Sequence, residues 1–152
     1  MNEKPSELAV NRRATFDYEI LDTFEAGIVL QGTEIKSIRD HGASLQESYV
    51  KVIRNEVWLI GCHIAHYKFG NIHNHEEKRD RKLLLHKREI QHLKESTQEK
   101  GLALIPLSLY LKKGKIKIRI GLGKGKKAGD KRQDLKEKDV KREMQQALKR
   151  TD

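Results

Sequence analysis

The alternation of apolar and polar positions changes period within residues 24–39, and the rest of the chain is organised around that change. Phe24, Ala26, Ile28 and Leu30 fall on one side of an extended segment, and Glu25, Gly27 and Val29 on the other. This is the two-residue period of a half-buried strand. Gly32 and Thr33 then break the pattern and offer an N-cap, and Glu34 suits a helix N-terminus. Ile35 and Ile38 share one helical face, and Gly42 provides a stop. A strand running straight into a short helix predicts a helix laid over the end of a sheet or barrel.

The same reading extends along the chain. Residues 15–21 predict a strand with Phe16, Tyr18 and Ile20 on one face, and Asp22-Thr23 a bulge leading into the 24–30 strand. Residues 40–46 read as a loop. Residues 48–54 and 57–64 are β-type runs around a two-residue turn at Asn55-Glu56, with Trp58, Ile60, Cys62 and Ile64 on one face. Residues 67–81 are polar and predict a long exposed loop. Leu83-Leu84-Leu85 returns to the core. The spacing predicts a helix over 87–98, with Leu85, Ile90 and Leu93 inward and Gly101 as its stop. Residues 102–111 predict a buried strand in which Pro106 marks an edge or a bulge. After the basic turn 112–115, Ile116, Ile118, Ile120 and Leu122 alternate with Lys117, Arg119 and Gly121, the cleanest half-buried strand in the chain.

About six β runs, short helices and no βαβ rhythm give the expected fold class. It is mainly β with short helices: a small antiparallel OB-like β-barrel plugged by helices, with a disordered basic C-terminal tail. Residues 1–8 are expected to be a disordered lead, 9–123 the barrel, and 124–152 the tail. The tail holds eleven Lys and Arg against six Asp and Glu, without an aromatic residue. Helix is latent in it, because Val140, Met144 and Leu148 recur every four residues.

Composition narrows the chemistry. The chain of 152 residues carries a net charge of +10, which points to a polyanionic partner. Cys62 is the single cysteine, so a disulfide framework is excluded and a core thiol is expected. No apolar run reaches the length of a membrane span, and residues 1–6 do not resemble a signal peptide; a cytoplasmic protein is expected. Gly121-Leu122-Gly123-Lys124-Gly125-Lys126-Lys127 lacks the spacing of a phosphate-binding loop, and a basic hinge that meets phosphates is the better reading. His63 and His66, then His73 and His75, with Glu76 or Glu77, have the residue types of a metal site but not a convincing spacing. No nucleophile has a partner that marks a catalytic site. No cofactor, metal or catalytic residue is expected.

Glu25 stands out as a carboxylate on a strand of a basic protein. It is either a surface salt-bridge acceptor or an acceptor for RNA hydroxyl and amino groups. The rings of Phe16, Tyr18, Phe24, Tyr49, Trp58, Tyr67, Phe69 and Tyr110 are expected mostly on inward faces. That favours recognition of folded RNA by shape and backbone over stacking on a single strand.

An ordered set of motifs carries a resemblance to a known family. It runs Asn11-Arg12-Arg13-Ala14, Phe24-Glu25-Ala26-Gly27, Gln31-Gly32-Thr33-Glu34-Ile35-Lys36-Ser37, Ser48-Tyr49-Val50, Arg81-Lys82-Leu83-Leu84-Leu85, Leu107-Ser108-Leu109-Tyr110, and Gly125-Lys126-Lys127 followed by Asp130-Lys131-Arg132. Together, over residues 9–142, it resembles small protein B, the bacterial tmRNA-binding family. The resemblance implies an OB-like barrel that grips the tRNA-like domain of tmRNA and no catalysis by the protein itself. It implies delivery of alanyl-tmRNA to stalled ribosomes, with elongation factor Tu as an indirect partner through that RNA. The tail is expected to enter the empty message channel and fold there as a helix. The RNA-binding set implied is Asn11, Arg12, Arg13, Glu25, Lys36, Arg81, Lys82 and Leu84. The ribosome-interacting set is Lys124, Lys126, Lys127, Asp130, Lys131 and Arg132. One position departs from the family pattern: Gly129 stands where an aromatic residue or His usually precedes the Asp-Lys-Arg triplet. The alternative function is a generic basic OB-like protein binding structured ribosomal RNA.

Overall fold

The computed structural model describes residues 6–69 and 74–126. Nine strands and three helices follow one another among them. They are β1 (Ser6–Val10), α1 (Ala14–Asp17), β2 (Tyr18–Ile28), α2 (Gly32–Arg39), β3 (Ala43–Ser44), β4 (Tyr49–Ile53), β5 (Glu56–Ile60), β6 (His63–Ile64), β7 (Arg81–Leu84), α3 (Lys87–Gln98), β8 (Ala103–Lys112) and β9 (Lys115–Gly125). Seven strands form one antiparallel sheet in the order β1-β8-β9-β2-β7-β5-β4, and β3 pairs with β6 in a second, short one. Among the described residues no ladder joins β1 to β4, although the sheet curls enough to bring β4 against β8. No helix among these residues is long and apolar enough to cross a membrane.

The clean alternation of 115–125 puts Ile116, Ile118, Ile120 and Leu122 into the core. They meet Ala26 of β2, Leu104 and Leu109 of β8, and Leu83 of β7 in one apolar cluster. α3 packs on β4 and β8 and buries Leu93, with Ile90 and Leu85 against the same cluster. Its N-cap, His86, receives the Glu89 side chain on its backbone N–H at 3.1 Å, closing a capping box.

Several expectations are corrected. Residues 6–8 are not a disordered lead: they belong to β1, which pairs with β8 from Ser6↔Leu111 to Val10↔Ser108. Residues 14–17 form a helical turn, not a strand, with the Asp17 N–H donating to the Arg13 carbonyl at 2.9 Å. The β4–β5 turn is Arg54-Asn55, one residue earlier than Asn55-Glu56, with both residues at positive φ (50° and 63°) and Ile53 opposite Glu56. The inward face of β5 is Val57 and Leu59, not Trp58 and Ile60. Gly61, at φ +81°, ends the strand and shifts the phase, so Cys62 and Ile64 are again buried. Burial pushes the Cys62 thiol up to about 11, which makes it an inert core group. The bulges do occur, at Ile20/Asp22 and at Pro106/Ser108.

The largest correction concerns α2. Its cap is Gln31, not Thr33, and its buried face is Glu34, Ser37 and Ile38, whereas Ile35 is exposed. Glu34 and Arg81 are both 0% exposed and paired, Arg81 Nε to Glu34 Oε2 at 2.5 Å. Glu34 also accepts from the Arg79 guanidinium and from the Gln31 N–H at 2.8 Å. The other Arg81 donors reach the carbonyls of Cys62 and Arg79 at 2.8 Å, and of Glu77 at 3.2 Å. The polar stretch 74–81 is therefore tied down. His75 is buried, its Nε2 donating to the Ile64 carbonyl at 2.8 Å and its Nδ1 accepting from the Thr33 hydroxyl at 2.9 Å.

Desolvation works against the Glu34 charge, but the hydrogen bonds from Arg79, Gln31 and Arg81 outweigh it and hold its pKa below 4.5. A depressed carboxylate contributes stability that is present above its ordinary value and is lost as pH falls through the native one. Resistance to urea is thus expected to fall below pH 4.5 in a Glu34-dependent way. Glu34→Met and Arg81→Met each strand a buried charge and are expected to lower stability by about 3–5 kcal/mol. The double variant Glu34→Met/Arg81→Met should cost less than the two single changes added together.

Candidate nucleic-acid interface

Strand alternation that buries Ala26, Leu83 and Ile118 turns their neighbours outward. Register then assembles a face. Tyr110 lies opposite Lys117, Lys117 opposite Gly27, and Gly27 opposite Leu84. Beside that row, Arg119 lies opposite Glu25. Lys82 lies opposite Trp58, and Trp58 opposite Lys51. Lys112 and Lys115 close the β8–β9 end across the Lys113-Gly114 turn. The outer surface of the sheet thus carries Lys112, Lys117 and Arg119 beside Glu25, with Lys115, Lys82 and Lys51 farther along it, Glu7 opposite Tyr110, and Leu84 projecting at 54% exposure.

Glu25 accepts from the Tyr110 hydroxyl at 2.5 Å and from Lys112 Nζ at 3.1 Å. The Tyr110 hydrogen bond, with help from Lys112 and Lys117 against partial burial, holds the Glu25 pKa below the ordinary carboxylate value. It remains an ionised acceptor inside a cationic rim. Next to it, Gly27, Leu30, Ile35 and Leu84 line an apolar groove of about 360 Å³, with Lys115 and Lys117 on its edge. A Cβ on Gly27 would stand 3.3 Å from the Leu84 Cβ, so a larger residue there would press Leu84 outward by a few tenths of an ångström. Cations for phosphates, one fixed acceptor for hydroxyl or amino donors, and an apolar shelf for a sugar or base edge are what a folded nucleic acid requires.

The residues expected to bind RNA separate into groups. Glu25, Lys82 and Leu84 share the outer face, Lys82 in a 3.3 Å pair with Glu56. Asn11, Arg12 and Arg13 lie elsewhere, lining shallow clefts with Ser44, Gln46 and Tyr49. There Asn11 is a fastener: its Nδ2 donates to the Pro106 carbonyl at 2.9 Å and its N–H to the Leu107 carbonyl at 2.8 Å. Arg13 pairs with Asp17 at 3.5 Å and lies over the Phe16 ring, and Arg12 is exposed. Lys36, on α2, sits 5.5 Å over the Tyr67 ring. Arg81 is buried on Glu34 and holds the fold, so it offers nothing to a ligand. Lys124 is exposed near the end of β9. Lys126 is fastened, its Nζ donating to the Thr15 carbonyl at 2.7 Å and its N–H to the Asp17 carbonyl at 2.9 Å. Lys127, Asp130, Lys131 and Arg132 lie outside the described residues, as do His73 and Gly129.

Sequence reasoning missed Lys117 and Arg119 as site residues, although their alternation with buried isoleucines was the available signal. It also missed Tyr110, which is hidden in an apolar run. The rings are less inward than expected: Tyr49 is 50% and Phe69 79% exposed. His63 pairs with Glu77, and His66 Nδ1 stands 3.7 Å from the same carboxylate. Among the described residues no group of three or more His, Cys, Asp or Glu is arranged to hold a metal ion.

Comparison with known proteins gives a consistent result. The family model described as SmpB protein matches residues 8–150. A protein of Protochlamydia amoebophila (strain UWE25) named SsrA-binding protein is 76% identical over 149 residues, covering 98% of this chain and 97% of its own. Proteins of the same name from Chlamydia muridarum (strain MoPn / Nigg) and Staphylococcus carnosus (strain TM300) are 54% and 56% identical, over 95% and 97% of this chain and 96% and 94% of their own. A solved chain described as "tmRNA-SmpB: a journey to the center of the bacterial ribosome" superposes with a TM-score of 0.65 at 45% identity, covering 78% of this chain and 84% of that one.

If the outer face meets phosphates, Lys117→Ala should lower the slope of log affinity against log salt by about 1, for a structured RNA titrated at several salt concentrations. Arg88→Ala, on α3, should leave that slope unchanged.

Proposed function

The chain belongs to the SmpB protein family, and from that premise we propose that it binds tmRNA through the tRNA-like domain and brings it to stalled ribosomes in trans-translation. The observation that carries the reading is Glu25, an ionised carboxylate fixed within a cationic face beside the exposed Leu84. Phosphate attraction alone does not select one RNA over another, whereas a fixed acceptor rewards a hydroxyl or amino donor and repels a misplaced phosphate. The relatives named SsrA-binding protein and the tmRNA–SmpB ribosome structure support the same partners, tmRNA and the ribosome.

The finer reading follows from this. The curled sheet, with β4 near β8, is an OB-like barrel whose outer face grips the elbow of the tRNA-like domain. Glu25, Leu84 and Lys82 contact it directly, with Lys117 and Arg119 on flanking phosphates. Asn11, Arg12, Arg13 and Lys36 border a second contact zone. Lys124 starts the basic tail, and Lys127, Asp130, Lys131 and Arg132 act in the message channel after tmRNA is bound. Elongation factor Tu is met indirectly, through alanyl-tmRNA, and the setting is the cytoplasm. The protein acts as a binding partner and not as an enzyme.

Competition between the tRNA-like domain of tmRNA and an ordinary tRNA, at near-physiological salt, tests the reading. The full chain should prefer tmRNA, and Glu25→Gln should reduce that preference about ten-fold, the scale of one hydrogen bond to a charged group. A chain ending at Lys126 should keep the preference. Equal binding of both RNAs that disappears with the tail would leave a generic basic RNA-binding protein instead.

A further inference from the structure

Glu25 is held unevenly. Its Oε2 accepts from the Tyr110 hydroxyl at 2.5 Å and from Lys112 Nζ at 3.1 Å, whereas Oε1 has, among the described residues, only the longer Lys112 contact at 3.3 Å. Tyr110 is itself enclosed. It is 1% exposed, lies opposite Glu7 and Lys117 in the sheet, and carries the Arg119 guanidinium 5.3 Å above its ring. From this geometry, which rests on the tmRNA reading above, we infer that Tyr110 is a positioning residue. Its hydroxyl occupies one oxygen of Glu25 and so aims the other at an RNA hydroxyl or amino donor.

The surroundings explain why such a tether is needed. Lys112, Lys117 and Arg119 all stand near the carboxylate. An untethered Glu25 would swing among them, pairing with one cation after another, and would neutralise charges that phosphates need. The Tyr110 hydroxyl is a donor that brings no competing charge. Burial and the adjacent Glu25 charge push the Tyr110 pKa up, so the phenol keeps its proton wherever RNA is intact. Arg119, parked on the ring, is in turn kept off Glu25 and left facing outward. Tyr110 therefore governs discrimination between RNAs, not overall attraction to them.

Tyr110→Phe in the full chain separates these roles, because it keeps the ring beneath the Arg119 guanidinium and removes the O–H, with its hydrogen bonds to Glu25 and Arg119. The measurements are affinity for the tRNA-like domain of tmRNA, affinity for an ordinary tRNA, the salt slope of each, and the thermal unfolding midpoint. The expected result is an approximately ten-fold loss of the tmRNA-to-tRNA ratio with both salt slopes unchanged, matching Glu25→Gln. A merely structural Tyr110 would lower the unfolding midpoint and weaken both RNAs together with the ratio intact, which would overturn the inference. A wild-type ratio in Tyr110→Phe alongside a lost ratio in Glu25→Gln would also overturn it, while leaving the tmRNA reading in place. No discrimination by the wild-type chain would remove the tmRNA reading and this inference with it.

Discussion

The buried pair of Glu34 and Arg81 is the constraint on which the rest depends. Two opposite charges at 0% exposure are tolerated only when they face each other and every remaining donor and acceptor is filled. Here the filling groups come from four places: the Gln31 N–H at the start of α2, Arg79, and the carbonyls of Cys62 and Glu77. Satisfying one ion pair thus pins α2, the segment after β5 and the polar stretch before β7 to a single point. It also fixes which way β7 faces. With Arg81 and Leu83 inward, Lys82 and Leu84 must point out, and a slip of one residue would invert all four.

That orientation makes the outer face. β7 inserts between β2 and β5, and so places Leu84 on Gly27 and Lys82 on Trp58. β9 supplies Lys117 and Arg119 on the same surface because its isoleucines are committed to the core. An ion pair in the interior and an alternating strand at the centre of the sheet therefore set, between them, the spacing of charges on the outer face. The cations at its rim are long and mobile side chains suited to phosphates, while Glu25 is braced from below by Tyr110.

What could be read from sequence was what local physics decides. The two-residue alternation of 116–122, the capped helix at 87–98, the bulges at Asp22 and Pro106 and the buried thiol of Cys62 all follow from neighbours along the chain. What escaped was decided over distance. Glu34 looked like a helix N-terminal carboxylate and Arg81 like one of the family's RNA-binding residues, because a sequence does not show that residues 47 apart will neutralise each other in the core. Ile35 was displaced from the buried face for the same reason. Residues 15–17 carry strand-like spacing, but the turn bonded back to Arg13 overrides it. Phase was lost at β5 because the positive φ of Gly61 is a tertiary outcome. Within the candidate site, Glu25 and Leu84 were named through the family resemblance, whereas the strand register was needed to see Lys117, Arg119 and Tyr110 on the same face.

The most direct test of the account is a footprint: hydrogen exchange of the full chain, free and bound to the tRNA-like domain of tmRNA. The account predicts new protection in β2, β7 and β9 around Glu25, Leu84 and Lys117, with α3 unchanged. Protection confined to α3, or to the tail beyond Lys126, would contradict it.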